Sequence, residues 1–144
     1  MTDEEIKRAI WQTVEKGQKA FVYATVDGKG CPRGRYMGVV MIKDGVMYMA
    51  SFSEARKIEQ IKANPHSELI FATEEYKQVA TLGGESRVEE SLELKRAFWE
   101  ANPSCKDYSS GYDAAEFGLI AFSPHSGEYL DPQVQHAPFA VALP

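Results

Sequence analysis

The stretch from Arg33 to Lys57, RGRYMGVVMIKDGVMYMASFSEARK, constrains the fold more tightly than any other part of the chain. An apolar strand is entered through two arginines, turned at Asp44-Gly45, and answered by a second strand from Val46 to Ser51. Asp-Gly between two apolar runs is a strong short-range hairpin signal. A helix is expected next, with Ser53 as its N-cap and Arg56-Lys57 in its first turn. Arg33 and Arg35 stand two apart on a strand and so project to one face. Cations, hydroxyls and a helix N-terminus are thereby delivered towards one place, a combination that suits a phosphate.

The flanking sequence extends this pattern. Ala20–Val26 is β-branched and aromatic and turns at Asp27-Gly28-Lys29-Gly30 into a strand from near Cys31 to Ile42. Ser67–Thr73 and Gln78–Glu89 read as two further strands, with Gly83-Gly84 marking a bulge in the second. Phe117–Phe122 and Gly127–Leu130 read as two short strands separated by Ser123-Pro124. Three helices accompany them. The first opens on the capping-box pair Thr2 and Glu5, carries Ile6, Ile10 and Val14 on one stripe, and stops at Gly17. The second runs from Ser53 to Asn64 and the third from Ser91 to Ala101, each ended by Asn-Pro. Residues 104–115 read as a loop, and the apolar tail beyond Asp131 is expected to pack on a partner. The fold class is α+β, mainly β: one domain, 1–144, a small antiparallel barrel of six to seven strands with three flanking helices.

Charge and motif content exclude several functions. The net charge is −5, which argues against nucleic-acid binding and against a basic membrane-binding surface. No apolar run reaches the length of a membrane span, and the acidic N-terminus MTDEEIKRAI is unlike a signal peptide. Cys31 and Cys105 lie far apart without metal or redox spacing, which fits free thiols in a cytoplasmic protein. His66, His125 and His136 have no zinc spacing, so no metal is expected. The G-x-S-x-G elbow, the P-loop and the G-x-G-x-x-G fingerprint are missing. No residue stands out as catalytic, and a cofactor that supplies the reactivity fits better.

From Phe21 to Trp99 the chain resembles the pyridoxamine 5′-phosphate oxidase-like flavoproteins with their FMN-binding split barrel. ATVDGKGCPRGRYM is similar to that family's opening hairpin, and DGVMYMASFSEARKIEQIKANP to its strand, helix and Asn-Pro stop. LIFAT, QVATLGGESRVE and ELKRAFWEANP follow in the family's order. The resemblance implies FMN as cofactor. Arg35 would contact it, with the backbone of Tyr36, Met37, Gly38 and Val39 along the flavin and its amides polarising the ring edge. Ala50 and Ser51 would stand at the end of the next strand, Arg56 and Lys57 at the phosphate, and Gln78 near the ring, often from the other subunit. It also implies a homodimer with the cofactor at the interface, where the tail and Trp99 would find a role, and a small-molecule substrate or NAD(P)H. Two departures stand out. Val40 replaces a lysine, and GEYLDPQ occupies the place of the Arg-x-His with which true pyridoxamine phosphate oxidases hold their substrate. In these respects the chain looks more like the short general-stress-protein branch. The alternatives are a flavin-binding or redox-sensing protein without turnover, or a split barrel holding deazaflavin F420 or haem. Haem is the weaker of these, because no histidine falls in the matching motifs.

Overall fold

A computed structural model describes residues 1–144. In chain order it contains α1 (Asp3–Lys16), β1 (Phe21–Val26), β2 (Pro32–Met37), β3 (Met41–Lys43), β4 (Val46–Phe52), α2 (Arg56–Ala63), β5 (His66–Ala72), β6 (Val79–Glu89), α3 (Leu92–Ala101), β7 (Phe117–Leu130) and β8 (Phe139–Ala142). Short 3₁₀ turns occupy Glu74–Tyr76 and Pro103–Asp107.

All eight strands belong to one antiparallel sheet in the order β2-β1-β5-β6-β7-β4-β3, with β8 added beside β7. The two edge strands of that path, β2 and β3, are neighbours in sequence, with only residues 38–40 between them. Four peptide steps from Met37 to Met41 reach at most about 14 Å. Six strand spacings would hold the edges of a flat sheet about 29 Å apart. The sheet must therefore curl until its edges meet, and they meet without pairing. This is the split of a split barrel.

Three differences from the sequence reading have local causes. There are eight strands where six or seven were expected, first because the run from Cys31 to Ile42 breaks at 38–40. Val39 takes φ 65 there, the left-handed region that a β-branched residue rarely enters, and its N–H donates to the Gln18 carbonyl at 3.2 Å. Secondly, β7 runs unbroken through Ser123-Pro124. Gly83 pairs with Ser126 and Gly84 with Pro124, so His125 is the extra residue of a bulge. A proline that cannot donate is tolerated there. The bulge expected at Gly83-Gly84 and the break expected at Ser123-Pro124 are two sides of one irregularity. A Cβ on Gly84 would lie 2.1 Å from the Ser123 carbonyl oxygen, so only glycine permits this approach. Thirdly, the apolar tail pairs as β8 with β7 of its own chain, Ser126–Tyr129 against Phe139–Ala142, and the Leu143 N–H donates to the His125 carbonyl.

The remaining elements follow the sequence closely. Thr2 and Glu5 form the reciprocal capping box of α1, and Ile6, Ile10 and Val14 are buried against the sheet. Asp44 and Gly45, both at positive φ, turn β3 into β4. The β4 strand splits its side chains between two apolar clusters. Met47 and Met49 enter the main core, while Tyr48 joins Phe98, Cys105, Phe117, Leu119 and Ala121 under α3. Buried on both faces, the run FGLIAF loses the alternation of a half-exposed strand. Trp99 packs edge-on against Phe117 at 5.4 Å, which accounts for it within the chain.

Candidate functional site

An apolar-walled cleft of about 410 Å³ opens at the split. One wall is the interrupted β2–β3 segment, Tyr36 to Val39. Its floor is the end of β4, Ala50 to Phe52, with Lys57 from the first turn of α2. The opposite wall comes from the segment after α3: Ser104, Cys105, Tyr108, Ser109, Glu116 and Phe117. Barrel curling explains the convergence. β2 and β3 arrive from opposite ends of the sheet, β4 lies beside β3, and Ser51 pairs with Gly118 on β7.

The α2 N-terminus begins later than its sequence promises. Its N-cap is Ala55, with no side-chain cap. Ser53 is turned away: its hydroxyl donates to the Ala115 carbonyl at 2.7 Å and its N–H to the Glu116 carbonyl. Ser53 therefore stitches the loop wall to the helix approach, and the first amides of α2 are left without a side-chain acceptor. Such an end is suited to an anion.

Three cations gather near it. Arg35 lies on β2 with its guanidinium 5.6 Å from the centre of the Tyr23 ring. It donates to the Tyr23 carbonyl at 3.0 Å, to Thr25 Oγ1 at 2.9 Å and to Gln60 Oε1 at 3.3 Å. Burial lowers the Lys57 pKa from its ordinary value, and the Arg35 charge lowers it further. Burial likewise lowers that of Arg35, with repulsion from Arg56 adding to it. None of the three forms a salt bridge; every ion pair in the chain lies elsewhere. Arg33, by contrast, is paired with Asp27 at 2.9 Å and contributes to a turn rather than to the cleft.

Of the residues singled out in the sequence, Tyr36, Met37, Gly38, Val39, Ala50, Ser51 and Lys57 line the cleft. Arg35 and Arg56 are not among the lining residues. The Val39 amide is spent on Gln18 and cannot face a ligand. Gln78 is held elsewhere, bonded to Thr73 and Asp131, next to Val79, whose β7 partner is Leu130 at the strand end remote from Phe117. The loop wall was not foreseen. Glu116 is its one carboxylate, held below the usual range because it accepts hydrogen bonds from the backbone and from Ser110 and Ser109. Burial pushes the Cys105 thiol up. None of the histidines lines the cleft, and no three His, Cys, Asp or Glu side chains are grouped to hold a metal.

The residues fit a flat, phosphorylated ligand. An apolar slot leads to a cationic end without a carboxylate partner. A family model described as pyridoxamine 5′-phosphate oxidase matches residues 5–131. Among solved structures, general stress protein 26 from Bacillus anthracis superposes with a TM-score of 0.78 at 26% identity, over 95% of this chain and 98% of that one. A pyridoxamine 5′-phosphate oxidase-related, FMN-binding protein from Nostoc punctiforme shares the fold at TM-score 0.72 and 14% identity, over 96% of each chain. A haem-binding protein from Mycobacterium smegmatis does so at TM-score 0.72 and 14% identity, over 91% of this chain and 55% of that one. None of the curated proteins matches this chain.

Proposed function

The chain belongs to the pyridoxamine 5′-phosphate oxidase family, and from that premise we propose that it is an FMN-dependent oxidoreductase acting on a small molecule. The observation that carries this reading is the cationic group Arg35, Arg56 and Lys57, which has no carboxylate partner. Unpaired, mutually repelling cations at a helix N-terminus are costly unless an anion joins them. FMN brings a phosphate for that end and a planar ring for the apolar slot.

Bound there, FMN supplies hydride and electron transfer. The chain's own work is to bind and orient. Lys57, Arg35 and Arg56 neutralise the phosphate, Ser51 offers a hydroxyl, and Tyr36–Gly38 and Ala50 supply a close backbone wall. Val39 contributes a bend, and its amide serves the fold. Deazaflavin F420 also carries phosphate and remains the alternative ligand. Haem is less well served, since the cleft has no histidine to act as an axial ligand.

We further propose a cytoplasmic homodimer. Tyr36 is 74% exposed, and Phe52 and Tyr108 also expose their rings at the cleft mouth, apolar surface that a second copy would cover. Gln78, remote from its own chain's cleft, would then approach the partner's ring. Free Cys31 and Cys105 suit a reducing compartment.

Anaerobic addition of NADH or NADPH to the FMN-loaded protein tests the catalytic half of the proposal. Bleaching of the flavin absorbance band on a timescale of seconds supports an oxidoreductase. Flavin that stays oxidised with both donors favours a binding or redox-sensing role.

A further inference from the structure

The Arg35 guanidinium is held by three hydrogen bonds, and none of the three acceptors carries a charge. They are the Tyr23 carbonyl, the Thr25 hydroxyl and the Gln60 side-chain amide oxygen. Buried or half-buried arginines are ordinarily matched by a carboxylate, which would cancel the charge. Here the geometry of a carboxylate partner is reproduced without its charge. The network also fixes which way the Gln60 amide faces. Thr25 Oγ1 accepts from Arg35, so its own proton goes to Gln60 Oε1, 2.6 Å away. Two donors meet at one oxygen, and the amide nitrogen cannot occupy that position.

Gln60 also joins the two halves of the cationic group. It lies on α2 three residues after Lys57, so the two share a helix face, and it reaches across to Arg35 on β2. The Thr25 link, from buried β1, closes the triangle between the two strands and the helix.

We propose that Gln60 is a positioning residue for the anion site, orienting Arg35 through a neutral acceptor so that its charge stays available to a bound phosphate. This rests on the reading of the cleft as an FMN site and adds a requirement that the site alone does not impose: position 60 must accept a hydrogen bond and must not be negative. Gln60→Glu keeps both accepted bonds and adds a charge. It should hold or raise the melting temperature of the flavin-free protein by pairing with Arg35, while weakening the phosphate ligand. Stability and affinity then move in opposite directions, which a merely structural residue would not produce.

The test is fluorescence titration of flavin-stripped protein with FMN and, in parallel, with riboflavin, which lacks the phosphate. For Gln60→Glu, FMN affinity should fall by about tenfold or more, the low end of the range for a hydrogen bond to a charged group, with riboflavin affinity unchanged. Wild-type FMN affinity, or an equal loss for both flavins, overturns the role of Gln60. Gln60→Met, which has neither acceptor nor charge, gives a second reading if the glutamate variant does not fold. FMN should weaken several-fold with riboflavin unaffected, and unchanged FMN binding would contradict the proposal. A wild-type protein that binds FMN no better than riboflavin would instead remove the phosphate site itself.

Discussion

Lys57 and Arg35 stand close enough for the guanidinium charge to depress the lysine's pKa, and no carboxylate lies between them to relieve it. The larger cause is burial of the ammonium group, and both act in the same direction. A folded protein that releases this proton below the ordinary 10.5 binds fewer protons than the unfolded chain across the interval between the two values. Stability rises with pH in that interval. The penalty is constant below the folded value and is lost as pH climbs towards that of a free lysine. Flavin-free wild type should therefore gain stability relative to Lys57→Met as pH rises towards 10.5, measured by urea denaturation at several pH values. A difference that stays flat or falls with pH would contradict the placement of Lys57 beside Arg35.

The same lysine should matter to the ligand and not to the empty fold. Lys57→Ala should weaken FMN by ~1.5–3 kcal/mol, the range for hydrogen bonds to charged groups. The melting temperature of the flavin-free form should stay level or rise slightly, because a repelled, half-buried charge has been removed. Fluorescence titration and thermal denaturation of the same preparation measure the two effects.

Inside the barrel, Tyr23 donates its hydroxyl to Ser86 at 2.6 Å, and Ser86 is bonded in turn to Ser67. The first two are almost wholly buried. Burial raises the Tyr23 pKa against the lowering effect of its serine bonds. Ser86→Ala strands the tyrosine hydroxyl and should cost ~1–3 kcal/mol. Tyr23→Phe removes the demanding group as well and should cost less. In the double variant the loss should fall short of the sum. Urea midpoints of the three variants decide it.

Much of this architecture was legible because local signals agreed with it. The capping box at Thr2 and Glu5, the Asp44-Gly45 hairpin and the Asn-Pro stops each have a short-range cause. The split itself has none. Nothing in the residue preference of Val39 predicts φ 65; the break is imposed by two sheet edges that must meet. Ser53 looked like a cap by position, yet it serves the Ala115 carbonyl instead. The cleft's family-like wall could be read from Arg35 to Lys57. The opposite wall, from Ser104 to Phe117, could not, because its residues belong to a turn-rich segment with no hydrophobic period and meet the cleft only through the pairing of β7 with β4. Gln60 gave no signal as an ordinary polar residue on a helix.

We propose that the split of the barrel holds FMN by its phosphate. The most direct measurement is the mass spectrum of whatever heat or acid releases from the natively purified protein, with its amount per chain from absorbance. The expected result is a yellow protein that releases the mass of FMN at up to one equivalent per chain. A colourless protein that takes up no added FMN, or the release of haem in its place, would contradict it.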